Sequence, residues 1–335
     1  MTIKSLSGEV LKDILSRSST PEFPIGLRDV DDILWGLKRS KLHAIGGRTS
    51  MGKSAEMFFI ANHLVGLNKK VGFLNLEMTN KEIIERMLCL NCKVSNEDMI
   101  KGRLTPEQKY ILEEYIGTMP EDHGLVVADR LDSDWGNVSN IRRFLDTNKV
   151  DVLFLDYIQM IRARDDQQER IQLGQFSVDL DRIAKEYNVA VVYGSQINRA
   201  GVTEESQGIP KLHHFKGSGV LEENAHAVII VHWYWKAMMK KKDGTEYHPK
   251  EYAMYVAKNR GGRTGLAIVN FTPEHYNFED REKTVSETIW EGKDANQTRP
   301  ANVDKEHAND TGHDDPKYRR VGQKQVSIGE GLSEL

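Results

Sequence analysis

Nucleotide chemistry is written into one stretch of this chain, Gly46-Gly47-Arg48-Thr49-Ser50-Met51-Gly52-Lys53-Ser54, which has the phosphate-binding spacing G-x-x-x-x-G-K-[ST]. The glycines let the backbone curl so that successive N–H groups face a triphosphate. Lys53 would neutralise the β- and γ-phosphates and Ser54 would ligate Mg²⁺, so ATP or another NTP, with Mg²⁺, is the expected cofactor pair. Gly47, Arg48, Thr49, Ser50, Met51, Gly52, Lys53 and Ser54 are all assigned to nucleotide binding. The apolar run Leu42-His43-Ala44-Ile45 precedes the loop, and Met57, Ile60, Ala61 and Leu64 follow at helical spacing. A strand before and a helix after distinguish such a loop from an ordinary glycine-rich turn, and the helix start favours an anion.

Hydrolysis further requires a metal ligand, a group that aims water, and a group that senses the γ-phosphate. In open α/β sheets ligands bind beyond the carboxyl ends of strands, and three polar residues stand at such ends. The run 71–76 ends on Glu77, expected one strand away from the phosphate loop and chosen to orient and polarise the attacking water. Val152-Leu153-Phe154-Leu155 ends on Asp156 in the form of a Walker B motif, whose carboxylate holds Mg²⁺ through its water shell. Residues 189–194 lead into Ser195-Gln196, and Gln196 can hydrogen-bond the γ-phosphate without adding charge. Taken singly, a carboxylate at a strand end reads equally well as a turn or cap residue. Together with the phosphate loop the three fit one site.

Two loops leave the same sheet edge. The one after Asp156 carries Arg162, Arg164 and Arg170, and the one after Gln196 carries Arg199, Lys211, His213, His214 and Lys216 before Gly217-Ser218-Gly219. Basic, glycine-flexed loops suit the backbone of single-stranded nucleic acid, where phosphates supply most of the affinity. The acidic Glu204-Glu205 within the second loop argues the other way, for a solvated surface. Lys258-Asn259-Arg260-Gly261-Gly262-Arg263 forms a basic tip after a strand. Within its own subunit it is a charged hairpin turn; in a ring it could enter a neighbour's phosphate site as an arginine finger.

These residues need a scaffold. From 23 to about 282, strands alternate with helices, which argues an α/β domain around a mainly parallel sheet. After the strand preceding the phosphate loop, strands are expected at 70–76, 124–128, 151–156 and 189–194, with a clear helix at 167–187. Three more, 227–233, 252–257 and 266–271, come without long helices between them, so the sheet should finish as hairpins or a meander, partly antiparallel. Residues 1–20 read as a linker-type helix with Ile3, Leu6, Val10, Leu11, Ile14 and Leu15 on one stripe, which packs either on its own domain or on a neighbouring subunit. Residues 21–283 form the main domain, and 284–335 are a polar tail too poor in apolar residues to fold alone.

With a net charge of −4, overall charge supplies no general attraction for nucleic acid, so any such binding rests on local loops. Cys89 and Cys92 form a C-x-x-C with no second Cys/His pair at zinc spacing, and read as buried thiols in a reducing compartment. No apolar run reaches membrane-span length and the N-terminus lacks a signal-peptide core. The expectation is a soluble, cytoplasmic protein.

In order and spacing, residues 23–280 resemble the C-terminal, RecA-like motor domain of DnaB-family replicative DNA helicases. The resemblance is carried by Ile25-Gly26-Leu27 with Asp29 and Asp32, residues 48–54, Leu76-Glu77-Met78, Arg86-Met87-Leu88-Cys89, Leu155-Asp156-Tyr157-Ile158-Gln159, Ser195-Gln196-Ile197-Asn198-Arg199, Gly219-Val220-Leu221-Glu222 and Ala257-Lys258-Asn259-Arg260. It implies a RecA-like P-loop NTPase fold and a hexameric ring that encircles one DNA strand, hydrolyses nucleotide between subunits and moves 5′ to 3′. It also implies that Glu77 is the catalytic carboxylate, Gln196 the γ-phosphate sensor, and Lys258 with Arg260 a pair acting in trans. Lys216, Gly217 and Gly219, with Arg162, Arg164 and Arg199, would meet DNA. Departures are that no family-type N-terminal collar domain is recognised, as in compact phage or mobile-element versions, and that Asn224 and His226 stand where acidic residues are usual. Lys216-Gly217 likewise replaces an Arg-Glu pair. A primase, helicase loader or single-strand-binding protein is the expected partner of the tail. A RecA- or RadA-like recombination ATPase and a nucleotide-gated scaffold are the competing readings; Leu76-Glu77-Met78 and Lys258-x-Arg260 favour the helicase.

Overall fold

The computed structural model describes residues 3–16, 18–130, 132–158, 166–197, 212, 223–241 and 244–281, without the side chains of 5, 6, 9, 13 and 166–170. Its elements run α1 (Ile3–Ser16), α2 (Arg28–Leu34), β1 (Leu42–Gly47), α3 (Lys53–Gly66), β2 (Val71–Asn75), α4 (Asn80–Cys92), α5 (Asn96–Ile100), α6 (Pro106–Thr118) and β3 (Leu125–Asp129). They continue with α7 (Val138–Asn148), β4 (Val152–Asp156), α8 (Asp166–Glu186), β5 (Ala190–Gln196), β6 (Ala227–Trp233), β7 (Glu251–Asn259), β8 (Gly265–Thr272) and β9 (Asn277–Asp280).

Nine strands make one sheet in the order β3-β2-β4-β5-β1-β6-β7-β8-β9. The first six are mutually parallel, and β6 through β9 pair antiparallel. The three helix-poor runs therefore finish the sheet as a meander, because adjacent antiparallel strands need only short turns while parallel neighbours need a crossover. A fourth member, β9, carries no alternating pattern in its sequence Asn-Phe-Glu-Asp, and only Phe278 is buried there.

The central strands are apolar on both faces because both are covered. On β4, Val152 and Phe154 join the core under α2, α3 and α4, while Leu153 and Leu155 join the core under α7 and α8. Met57, Ile60, Ala61 and Leu64 of α3 are fully buried in the first core, and Leu180, Ile183 and Ala184 of α8 in the second. β8 shows the opposite arrangement: buried and partly exposed residues alternate, as one face of the meander meets water. Thr79 caps α4 through a reciprocal bond with Glu82, which fixes where the chain turns after β2.

Candidate functional site: a nucleotide cavity at the strand ends

β1 lies between β5 and β6, so the phosphate loop leaves the middle of the sheet. The loop closes on Gly52, whose φ of 89° is the left-handed region where glycine is favoured, and a β-carbon there would sit 3.1 Å from the Tyr252 hydroxyl. Gly52 brings no side chain to the start of α3, so among the described residues no side-chain oxygen caps its first-turn N–H groups, which point at the loop. The Lys53 ammonium donates to Asp156 Oδ1 at 2.5 Å, with both side chains largely buried. β5 makes room for this pair: a β-carbon on Gly194 would come within 2.8 Å of Lys53 Nζ and 3.0 Å of Asp156 Oδ1. The same strand clasps the loop directly, since Gln196 Nε2 donates to Thr49 Oγ1 at 2.6 Å and the Ile197 N–H to the Gly47 carbonyl at 3.1 Å.

Glu77 is not one strand away from the loop. β4 and β5 both stand between β2 and β1, because the chain crosses over from β1 to β2 and later fills the gap. Glu77 nevertheless reaches the same cavity by projecting beyond its strand end, where it is exposed. Its backbone is fixed by the buried Asn75, whose Oδ1 accepts the N–H groups of Glu77 and Met78 at 2.8 and 2.7 Å, and by Leu76, which donates to the Asp156 carbonyl. Asn75 and Gly194 are supports that motif spacing did not single out.

A cavity of about 380 Å³ brings together residues 47–50 and 52–54 with Glu77 and Gln196. Met51 faces away and packs into the core, and Asp156 sits behind Lys53, 1% exposed. The opposite wall is Arg86, Trp233, Phe271, Pro273 and Tyr276. There the Arg86 guanidinium lies 5.0 Å from the Tyr276 ring centroid. A polar floor of backbone donors with a lysine suits phosphates, and an aromatic wall suits a flat base. Of that wall, only Arg86 lay in a stretch that carries the family resemblance; Trp233 and Phe271 were expected as strand residues only, and the aromatic residues of the meander have no local motif.

Lys258 and Arg260 are elsewhere. β7 runs antiparallel with Asn259 opposite Ala227, the first residue of β6, whereas Gly47 pairs with Val231 near the end of β6. The tip therefore sits at the opposite end of the strands from its own phosphate loop, a separation of roughly 15–20 Å for strands of this length. Both side chains donate to the backbone carbonyl of Glu223, Lys258 at 3.1 Å. Arg162, Arg164, Arg199, Lys216, Gly217 and Gly219 lie outside the described residues, as does the tail from 284 to 335. The side chain of Arg170 does too.

Cys89 is buried and Cys92 half-buried, both as free thiols, and burial pushes each up to about 11, so neither is a ready nucleophile. Among the described residues no cluster of three His, Cys, Asp or Glu is placed to hold a metal, and no helix is long and apolar enough to cross a membrane. Ser54 and Asp156 supply one hydroxyl and one carboxylate, a hard-oxygen set of the kind Mg²⁺ takes when phosphates and water complete its shell.

The family profile described as "DnaB-like helicase C terminal domain" matches residues 23–280. A probable plasmid replicative DNA helicase of Chlamydia trachomatis is 28% identical over 257 residues, covering 76% of this chain and 54% of that protein. The replicative DNA helicase DnaB of Rickettsia typhi is 27% identical over 288 residues, covering 79% of this chain and 58% of that protein. The chain thus spans little more than half the length of the curated relatives it matches. A solved DnaB-like replicative helicase, described with its interactions with primase, superposes with a TM-score of 0.72 at 25% identity over 84% of this chain and 69% of that one.

Proposed function

As a member of the DnaB-like helicase C-terminal domain family, the chain is, we propose, the ATP-hydrolysing motor of a hexameric replicative helicase that moves 5′ to 3′ on single-stranded DNA. One observation carries this reading: the phosphate loop and the Lys258–Arg260 tip lie at opposite ends of the strands of one sheet. A site so divided is completed by a second copy of the chain, set edge to edge in a ring.

Within each such site, the N–H groups of residues 47–53 would cradle the phosphates, and Lys53 would turn from Asp156 to the β- and γ-oxygens. That exchange frees the Asp156 carboxylate, which with Ser54 would hold Mg²⁺. The metal supplies charge neutralisation of the β- and γ-phosphates when bound. Glu77, held by Asn75, would accept a proton from an attacking water and aim it in line at the γ-phosphorus. Gln196 would exchange its bond to Thr49 for one to the γ-phosphate, and so carry nucleotide state into the segment after β5. Arg260 and Lys258 of the adjacent subunit would offset the charge that develops on the transferred phosphoryl group. Arg162, Arg164, Arg199, Lys216, Gly217 and Gly219 are the proposed DNA contacts, and a primase, loader or single-strand-binding protein the proposed partner of the tail.

The test is complementation. Lys53→Ala and Arg260→Ala should each lower DNA-stimulated hydrolysis by about 10³-fold or more, and a mixture should regain part of the activity at interfaces with both wild-type halves. A mixture as inactive as either variant would exclude a shared site. On a forked duplex, failure to release a strand despite hydrolysis would reject the helicase and leave a nucleotide-gated scaffold.

A further inference from the structure

His226 sits directly beneath the basic tip. Its N–H donates to the Leu42 carbonyl at 2.6 Å, and its own carbonyl accepts the N–H of Arg260 at 2.9 Å. Nε2 lies 3.3 Å from where a side chain on Gly261 would begin, and the ring meets the buried His43 edge-on at 5.9 Å. The imidazole is half-buried and borders a cleft of about 890 Å³, also lined by Trp35, Lys38 and Lys41, through which protons and anions can reach it.

Four cations from different elements act on the ring: Lys38 and Lys41 ahead of β1, which share its cleft, Lys258 at the end of β7 and Arg260 in the turn. Together with burial, the larger cause, they hold His226 below its ordinary value. His43, buried and held down at about 3, stays neutral and contributes no charge. Of the nearby carboxylates, Glu22 is engaged by Arg39 and Glu223 is exposed. Such a ring is sensitive to an arriving anion, because each negative charge offsets repulsion that had kept the proton off.

We propose that His226 is a positioning residue for Arg260, uncharged while the tip faces solvent and charged once the tip meets a phosphate group. The proposal rests on the reading of the tip as the trans half of the nucleotide site. The proton comes from solvent, and the imidazolium it forms adds positive charge behind the finger only when a phosphate is in place. Phosphate engagement at each interface thereby takes up one proton.

The experiment compares the whole protein and its His226→Gln variant, with single-stranded DNA and ATP, from pH 5.5 to 8.5. The wild type should lose about three- to tenfold in kcat/KM from pH 6 to 8 along a one-proton limb that is absent from the variant, with the two converging at high pH. Calorimetry with a non-hydrolysable ATP analogue in buffers of different ionisation enthalpy should find an added uptake approaching one proton per interface at pH 6.5 in the wild type only. Matched melting temperatures would verify the variant's fold. The same limb and uptake in His226→Gln, or an equal loss at every pH, would overturn the proposal. If the Lys53→Ala and Arg260→Ala mixture recovers activity while the limb persists in His226→Gln, this inference alone falls; if the mixture stays inactive, the trans site falls and takes this inference with it.

Discussion

Glu56, one helical turn into α3, is fully buried, and neither carboxyl oxygen has a hydrogen-bond partner among the described residues. Burial alone pushes it from 4.5 up to about 8. The folded chain thus holds this proton more tightly than the unfolded chain does. Its contribution to stability is complete below about pH 4.5 and is lost as pH rises through about 8. Glu56→Gln should therefore melt higher than the wild type at pH 8.5, by the equivalent of about 2–4 kcal/mol, while the two draw together near pH 5. Parallel denaturation curves for wild type and variant across that range would show that the carboxyl finds a partner in solution. The neighbouring Tyr252 hydroxyl is likewise buried with no hydrogen-bond partner among the described residues, and it stands 3.1 Å from where a β-carbon on Gly52 would lie.

At the scale of elements, α1 leaves the described side chains of its apolar stripe exposed. Val10, Leu11 and Ile14 are about half exposed, and Ile3 and Leu15 are more than three-quarters exposed. The described part of the chain leaves these residues uncovered, which suits the expectation of packing on a neighbouring subunit without excluding packing on its own domain. Full burial of a leucine stabilises by about 1.5–3 kcal/mol, so the double change Leu11→Asp, Leu15→Asp should weaken subunit association about 10²-fold or more. Sedimentation at graded concentrations reads this directly, with the melting temperature of the dissociated chain unchanged; assembly at wild-type concentrations would rule the helix out as a tie between subunits. The core strands and α3 were legible because each carries its own period. β9 was not, because four residues with one buried phenylalanine carry no period at all. The reach of β7 through Lys258 and Asn259 was also hidden, since polar residues at a strand end look like a turn until pairing with β6 places them in the ladder.

For the whole molecule, a net charge of −4 means that the proposed DNA binding would depend on a few local cations rather than on a general field. Affinity for an oligothymidylate should fall steeply with salt, and Lys216→Ala should flatten the slope of log Kd against log salt by about 0.7 for each contact it removes. An unchanged slope would place the DNA path elsewhere.

The sequence by itself determined the phosphate loop, its flanking strand and helix, and the polar residues at the strand ends, because spacing, glycine content and hydrophobic period are local properties of the chain. Only the tertiary structure decided which strands are neighbours. It placed β4 and β5 between Glu77 and the loop, made Asn75 and Gly194 supports, raised an aromatic wall from the meander, and set Arg260 at the far end of the strands. The physical reason is that strand order follows from crossover connections that must cover both faces of one sheet. That condition binds residues more than a hundred positions apart and leaves no trace in any short stretch of sequence.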